Sequence, residues 1–142
     1  MSKTLTKPRV SRDQWLARAL QVLETEGLQG VRVDRLARDF GISRAGIYWH
    51  FRGRQDLLQA MLDFWAEEFT VVITADPELQ QGDPGKRLER IAELILERNL
   101  ARYDLAILDL SAHDKSAARV LRKVYRMRLE FIRSLFQAAG FR

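Results

Sequence analysis

The apolar residues at the start of the chain recur at helical spacing. Ser11 and Gln14 form a capping box, and the apolar positions that follow repeat on one face until Gly27. These positions are Trp15, Leu16, Ala19, Leu20 and Leu23. The pattern predicts a first helix that begins after Ser11 and ends at Gly27.

Two short helices are predicted next. Apolar residues spaced i, i+3, i+4 and i+7 predict a second helix that stops at Gly41, namely Val33, Leu36, Ala37 and Phe40. Ser43 is a favourable N-cap for a third helix that runs to about His50. Only Gly41, Ile42 and Ser43 separate the two helices, and a turn of this length and glycine content sets helices at a steep angle. The segment therefore has the pattern of a helix-turn-helix.

A longer fourth helix is predicted to open at Gly53, with Asp56 in its first turn. Its apolar positions are Leu57, Leu58, Met61, Leu62, Trp65 and Phe69. Residues 75–85, ADPELQQGDPG, are rich in turn formers and predict an internal boundary. Asp83 and Pro84 read as the N-cap and first position of a helix that continues to about Leu100.

Two further helices complete the pattern. A short apolar helix is predicted over residues 104–111, and Asp114 can cap a long helix that ends at Ala139. Gly140 then supplies a left-handed stop and Phe141 its hydrophobic contact. Since no segment alternates like a strand, we predict an all-α fold. Its first part is a three-helix domain over residues 1–56, with a flexible basic arm at 1–10, and a helical regulatory domain follows over 57–142.

Composition and charge narrow the class of protein. An apolar content of 46% and a charged content of 30% are those of a globular chain. No run of about 18 uncharged apolar residues exists, and the N-terminus lacks the apolar stretch of a secretory signal, so we expect a cytoplasmic protein and no membrane partner. The absence of cysteine excludes disulfides and thiolate chemistry.

The net charge of +5 is unevenly distributed. Residues 1–60 hold 11 Lys and Arg against 6 Asp and Glu, whereas residues 61–142 hold 13 of each. A basic first part joined to a neutral second part suggests that the first part meets a polyanion. A chance excess of solvated arginines is the alternative that charge alone leaves open.

No catalytic constellation emerges from the sequence. Ser111, His113 and Asp114 lie too close in sequence to form a nucleophile, base and orienting acid, and a helix cap explains them. Glu67 and Glu68 fit a solvated helix surface better than acid-base catalysis. There is no glycine-rich phosphate loop or paired-histidine metal motif. We expect a protein that is not an enzyme and has no cofactor.

Helical geometry predicts which way the third helix faces. At about 100° per residue, Ile47 and Phe51 point to the core, and the opposite direction is centred on Trp49. Five residues lie beside that centre or on its flanks: Arg44, Ala45, Gly46, Tyr48 and His50. Small residues allow a helix to approach base edges in a major groove, and donors on its flanks reach the phosphates. The face therefore suits DNA.

Two other interpretations of the aromatic residues remain. Tyr48 and Trp49 could belong to the core with Phe51, leaving the nearby arginines simply solvated. Alternatively, Tyr48 and Trp49 could anchor a partner protein, which would make the chain a helical protein-protein interaction module.

The run VDRLARDFGISRAGIYWHFRGRQDLLQAML, together with the residues from Trp15 onward, resembles the N-terminal domain of the tetracycline-repressor (TetR) family. Members are helix-turn-helix transcriptional regulators, mostly repressors. The resemblance implies a double-stranded DNA operator of palindromic sequence, a homodimer in the full-length protein, and release by a small-molecule effector. It also implies base contacts by Arg44, Ala45, Gly46 and Trp49, and phosphate contacts by Tyr48, His50 and Arg54. The predicted DNA-binding residues are Arg32, Ser43, Arg44, Ala45, Gly46, Tyr48, Trp49, His50 and Arg54.

The chain departs from the family pattern in three places. Val31 and Arg32 stand where the family usually has Thr or Ser, and Arg32 can replace a phosphate contact but not a helix cap. Gly46 stands where Thr is common, which removes a base contact and lowers helix propensity by roughly 0.5 to 1 kcal/mol. The family also continues with two more helices that build the dimer, whereas this chain stops at Arg142. Either the chain is a fragment or dimerisation is achieved differently, and the helix cap just before Arg142 leads us to expect a fragment.

By the same resemblance, the second half should contain a ligand cavity between helices. Candidate apolar lining residues are Trp65, Phe69, Leu94, Ile95, Leu105, Ile107, Leu108, Met127, Phe131 and Leu135. Candidate polar contacts are Tyr103, His113 and Tyr125. The competing interpretation is that most of these side chains simply form the core.

Overall fold

The computed structural model describes residues 9–141. Within that range the backbone forms helices and turns and no strand, which confirms the all-α prediction. The helices are α1 (Arg12–Glu26), α2 (Val33–Asp39), α3 (Arg44–Tyr48), α4 (Arg54–Ala75), α5 (Pro77–Gln80), α6 (Pro84–Glu97), α7 (Asp104–Ser111) and α8 (Lys115–Ala138), with a 3-10 turn at Leu28–Gly30. Most of the basic arm predicted at residues 1–10 lies outside the described residues.

The chain divides into two compact units, one ending at Leu58 and the other beginning at Gln59, so the boundary falls within α4. None of the helices in the described range is long and apolar enough to cross a membrane.

The first helix of the first unit begins with the predicted capping box. The Ser11 hydroxyl accepts a hydrogen bond from the Gln14 backbone N–H at 3.1 Å, and the Ser11 backbone N–H donates to the Gln14 side chain at 2.7 Å. The helix ends at Gly27, whose φ is 78°. These bonds satisfy donors that a helix start leaves unpaired, so α1 has a defined beginning.

Helices α1, α2 and α3 share one apolar core. The rings of Trp15 and Phe40 meet edge to face with their centroids 4.8 Å apart. Burying a large apolar side chain contributes roughly 1.5 to 3 kcal/mol, so these few residues supply most of the packing in a small unit. The completely buried side chains of these three helices are Trp15, Leu16, Ala19, Leu36 and Ile47, and Leu57 near the start of α4 is equally buried.

The turn between α2 and α3 is a Schellman motif built on Gly41. Gly41 has φ 65°, a left-handed conformation that favours glycine. The Gly41 N–H donates to the Arg38 carbonyl and the Ile42 N–H donates to the Ala37 carbonyl, both at 3.0 Å. This backbone geometry ends α2 and sets the direction in which α3 starts.

An ion-pair cluster joins α1 to α2. Arg35 Nη2 lies 2.6 Å from Glu26, and both Arg35 and Arg18 contact the Asp39 carboxylate within 3.1 Å. Partial burial raises the pKa of Asp39, but hydrogen bonds from Arg18 and Arg35 more than offset this, and the pKa lies below its usual value. The hydrogen bond from Arg35 likewise lowers the pKa of Glu26. Both carboxylates therefore stay ionised, and the cluster holds α2 beside α1.

Helix α3 is shorter than the sequence predicted. It ends at Tyr48 rather than near His50. Ser43 occupies the N-cap position, but its side chain makes no capping hydrogen bond, contrary to the expectation of a side-chain cap. Packing of the helix against the core therefore matters more than the cap does.

The second unit contains two helix boundaries that the sequence did not predict. Helix α6 starts at Pro84 as expected but ends at Glu97 rather than near Leu100. The reason is Asn99, whose φ of 49° makes it a left-handed terminator in the place that glycine usually takes. The short helix α5 lies inside the predicted boundary, where Asp76 accepts a hydrogen bond from the Glu78 N–H at 2.9 Å.

The last helix follows the prediction at both ends. Asp114 accepts a hydrogen bond from the Ala117 N–H at 2.8 Å, and Gly140 has φ 93°. The rings of Phe136 and Phe141 lie 5.5 Å apart, which is the hydrophobic contact expected beyond the glycine.

We expect Gly41→Ala to destabilise the first unit by about 1 to 2 kcal/mol, because an L-residue is strained in the left-handed conformation. A Cβ added there meets no atom within 4 Å, so the penalty comes from the backbone alone. Gly41→Asn should lose clearly less, since asparagine tolerates this conformation. Urea unfolding followed by circular dichroism measures both, and equal loss in the two variants would contradict this explanation.

Candidate DNA-binding surface

The orientation of α3 is determined by two apolar side chains next to one another in space. Ile47 and Phe51 are fully buried, at 0% and 1% exposure. Trp49 is 82% exposed and Tyr48 is 50% exposed. Tyr48 and Trp49 therefore do not belong to the core, and the structure places them on the solvent side of the helix as the helical geometry predicted.

Small residues lie beside Trp49 on the same helix. Ala45 is exposed and Gly46 is half-buried. A Cβ added at Gly46 would lie 3.2 Å from the Ile42 Cδ1 atom. Glycine therefore leaves this part of the helix surface without a protruding side chain. A helix needs such small residues where its backbone approaches base edges closely.

Three predicted DNA-binding residues at the starts of α2 and α3 are also exposed. Arg44 opens α3 with its side chain in solvent, and the Ser43 hydroxyl is not used as a cap. Arg32 occupies the N-cap of α2 in an extended conformation and makes no side-chain capping bond, in line with the expectation that it cannot cap. All three side chains are therefore positioned to donate to an external group.

His50 lies at the end of this surface. Its side chain is half-buried, and its ring centroid is 6.1 Å from that of Phe51. The guanidinium of Arg12 lies over the same phenylalanine ring, 5.3 Å from its centroid. One groove is lined by Ala45, Gly46, Trp49 and His50, so four of the predicted residues come together in space.

Arg54 has an internal role that the sequence did not reveal. Its Nε donates to the Val31 carbonyl at 3.0 Å, and one Nη donates to the Leu28 carbonyl at 2.8 Å. The side chain thus ties the start of α4 to the turn before α2. A phosphate contact by Arg54 would have to use its remaining N–H groups or exchange these bonds.

The ligand-lining candidates of the second unit do not form one set. Trp65 and Phe69 are buried, and Met127 and Phe131 pack against the core that contains Phe69. Leu94, Ile95, Ile107 and Leu135 are buried or half-buried, and Tyr103 is half-buried. The other four candidates have exposed side chains and so do not line an interior cavity: Leu105, Leu108, His113 and Tyr125. Tyr125 lines an open groove along α8 instead.

The second unit contains an ion pair between Arg128 and Asp104 that sequence analysis missed. Arg128 Nη1 is 2.6 Å from Asp104 Oδ2, and Arg128 Nη2 is 3.3 Å from Asp104 Oδ1. The guanidinium also lies 5.5 Å from the Trp65 ring centroid and 5.0 Å from that of Phe69. Arg128 and Asp104 are 24 positions apart, and Arg128 is one of several arginines in α8, so no local signal distinguishes it.

Two donors in this cluster lack partners. In the part of the chain that the structure describes, Arg128 Nε and Trp65 Nε1 are buried and have no hydrogen-bond acceptor. An unpaired buried donor costs about 1 to 3 kcal/mol, so such groups call for an explanation. Residues 9–141 contain no cluster of His, Asp and Glu side chains able to hold a metal ion.

The fold and surface of the first unit define a helix-turn-helix protein of the DNA-binding type. Residues 16–61 match the family model described as "Bacterial regulatory proteins, tetR family". Residues 16–61 therefore contain the N-terminal domain of this family, whose members are transcriptional regulators rather than enzymes, as the sequence analysis predicted.

Several curated proteins are similar to the chain. It is 35% identical over 60 residues to the uncharacterized HTH-type transcriptional regulator TtgW of Pseudomonas putida, covering 42% of this chain and 45% of that protein. It is 35% identical to the HTH-type transcriptional regulator SrpR of Pseudomonas putida, covering 42% and 28%. It is 36% identical to the tetracycline repressor protein class E of Escherichia coli, covering 37% and 25%. The matches thus span less than half the length of these relatives. No solved structure matches the chain significantly.

We expect Arg54→Ala to lower the free energy of unfolding by about 1 to 2 kcal/mol, because two carbonyls lose a charged donor. Arg52→Ala is the matched control, since Arg52 is exposed and the bond to Asp56 comes from its backbone N–H. Urea unfolding of the two variants tests the assignment. Equal stabilities would mean that the Arg54 bonds add nothing in solution.

Proposed function

We propose that two copies of the protein bind a palindromic DNA operator, repress transcription in the cytoplasm, and release the operator when a small molecule binds. The class of protein, a TetR-family DNA-binding regulator, carries this proposal. The observation that supports it most directly is the exposed face of α3, where Trp49 stands beside Ala45 and Gly46.

In this proposal residues 1–56 read DNA. Arg44, Ala45, Gly46 and Trp49 face the base edges, because small residues allow the helix to enter a major groove and arginine can bind guanine through two hydrogen bonds. Tyr48, His50, Arg32 and Ser43 donate to the phosphates on either side. Arg54 joins them to the extent that its internal bonds leave N–H groups available.

Residues 57–142 take the regulatory role in this proposal. Two recognition helices must lie about 34 Å apart to enter successive major grooves of one operator. An effector that favours a different separation would shift the dimer away from the DNA-binding arrangement. The name of one relative, a tetracycline repressor, supports repression as the outcome.

The unpaired donors near Arg128 suggest the chemistry of the effector. Arg128 Nε and Trp65 Nε1 are buried donors, and the Arg128 guanidinium lies over the Trp65 and Phe69 rings. This environment favours an aromatic molecule with a hydrogen-bond acceptor. Such an effector would gain the bonds that the protein leaves unmade and would compete with Asp104 for the guanidinium.

The first experiment is a binding selection from random duplex DNA with the purified protein at near-physiological salt. Enrichment of an inverted repeat is expected. An enriched single half-site would support DNA reading by these residues but not a working dimer, and no enrichment would refute the DNA-binding proposal. In that case Tyr48 and Trp49 become candidates for anchoring a partner protein.

Arg44→Ala should weaken binding to the selected sequence by about 1 to 3 kcal/mol and relax its preference at one position. Arg119→Ala, the same charge change at an exposed site of the second unit, should change neither. A titration across salt concentrations should give a log-log slope of about 0.9 per phosphate neutralised, whereas aromatic anchoring to a protein would give a much flatter response. Indistinguishable behaviour of the two variants would remove Arg44 from the reading surface.

The effector proposal is tested with compounds that raise the melting temperature and lower operator affinity. Arg128→Gln should abolish both effects, because it removes the guanidinium and its buried Nε donor, and Arg122→Gln on the exposed side of α8 should retain both. Melting curves without compound check that each variant is folded. Full response in Arg128→Gln would place the effector elsewhere.

A further inference from the structure

A groove in the first unit has the size and lining of a small-molecule site. It encloses about 660 Å³ between the segment before α1 and the exposed side of α3. Ligand pockets in proteins have volumes of roughly 300 to 1,000 Å³. All its lining residues belong to the first unit, so this groove is separate from the residues proposed above to sense the effector.

The walls of the groove are largely apolar and aromatic. Val10, Trp15, Ile42 and Trp49 contribute to them. The exposed indole ring of Trp49 suits a flat aromatic molecule, because aromatic rings pack favourably in stacked or edge-to-face arrangements. The side chain of Trp49 is 82% exposed, so a ligand lying against it would cover apolar surface that is otherwise hydrated.

The groove is open because Gly46 has no side chain. A Cβ at this position would come within 3.2 Å of Ile42 Cδ1, which is itself part of the wall. A larger residue at Gly46 must therefore occupy the groove or displace Ile42.

The indole N–H of Trp15 provides a second observation. Trp15 is completely buried, lines the groove, and its Nε1 has no hydrogen-bond partner among residues 9–141. The N–H is closed to water in the empty groove, so a ligand must widen the groove slightly to reach it. An acceptor that does so recovers the free energy lost by burying an unpaired donor.

The charges around the groove favour an anion. Its polar lining residues are Arg9, Ser11 and His50, and no carboxylate is among the described residues that line it. The first 60 residues carry a net charge of +5. A negative group on the ligand is therefore attracted to this end of the molecule and has donors at hand.

We propose that this groove binds a planar aromatic carboxylate, with the rings against Trp49 and the apolar walls and the carboxylate toward Arg9, His50 and the Trp15 N–H. Because Ala45, Gly46, Trp49 and His50 also belong to the proposed DNA-binding surface, an occupied groove excludes DNA directly. This second statement rests on the proposed function, whereas binding of the carboxylate does not.

The test is a calorimetric titration of the full chain with 2-naphthoate in the absence of DNA. One-to-one binding is expected, at least tenfold tighter than binding of the neutral 2-naphthalenemethanol. Gly46→Leu should weaken binding at least tenfold by filling the groove. Trp15→Phe should also weaken it about tenfold, because phenylalanine keeps an apolar ring but has no N–H.

Leu129→Ala is the matched control. Leu129 is 70% exposed in the open groove along α8, which is also large and apolar enough for a naphthalene ring to enter. This variant should bind 2-naphthoate as the parent does. Loss of binding in Leu129→Ala with full binding in Gly46→Leu would place the ligand on α8 and overturn the proposal.

Competition is measured separately with the selected operator. 2-Naphthoate should displace the parent from DNA, whereas Trp15→Phe should still bind DNA and require about tenfold more of the compound. If no operator exists but the calorimetric results hold, the groove stands and the proposed function fails. If the compound does not bind while Gly46→Leu weakens DNA binding, the groove accommodates part of the DNA and the small-molecule proposal is wrong.

Discussion

The burial of Ile47 is the interaction on which the candidate DNA-binding surface depends. Helix α3 has only five residues, too few to be stable without tertiary contacts. Packing Ile47 and the following Phe51 into the core leaves one rotational setting for the helix, and that setting turns Trp49 outward. The Gly41 turn determines where the helix starts, but the buried side chains determine which face meets solvent.

Several arginines of the first unit take part in its internal structure. Arg54 binds the Val31 and Leu28 carbonyls, while Arg35 and Arg18 hold the carboxylate of Asp39 between α1 and α2. The basic character of this unit is therefore partly structural. Arginines at the helix starts, such as Arg44, remain to attract a polyanion.

Unpaired indole donors are a common feature of the two units. Trp15 and Trp65 are both fully or almost fully buried with their N–H groups unbonded in the described range. A buried tryptophan usually finds a partner, because the N–H loses its water on folding. In the first unit the indole adjoins an open groove, and in the second it adjoins the half-buried Arg128. Each is a place where an external acceptor would improve the bonding of the protein.

The amino-acid sequence by itself determined most of the helices, several of their caps and the outward face of α3, since these depend on residues within a few positions of one another. Ser11, Gly41, Asp83 and Gly140 all act as predicted through such local bonds. Asn99 shows the limit, because asparagine adopts the left-handed conformation only when its surroundings favour it. What only the tertiary structure decided are contacts between distant positions: the use of Arg54 inside the first unit, the Arg128 pair with Asp104, and the groove beside Trp15. These contacts are stabilised by burial and hydrogen bonding between segments that are distant in sequence. The local periodicity of apolar residues therefore does not predict them.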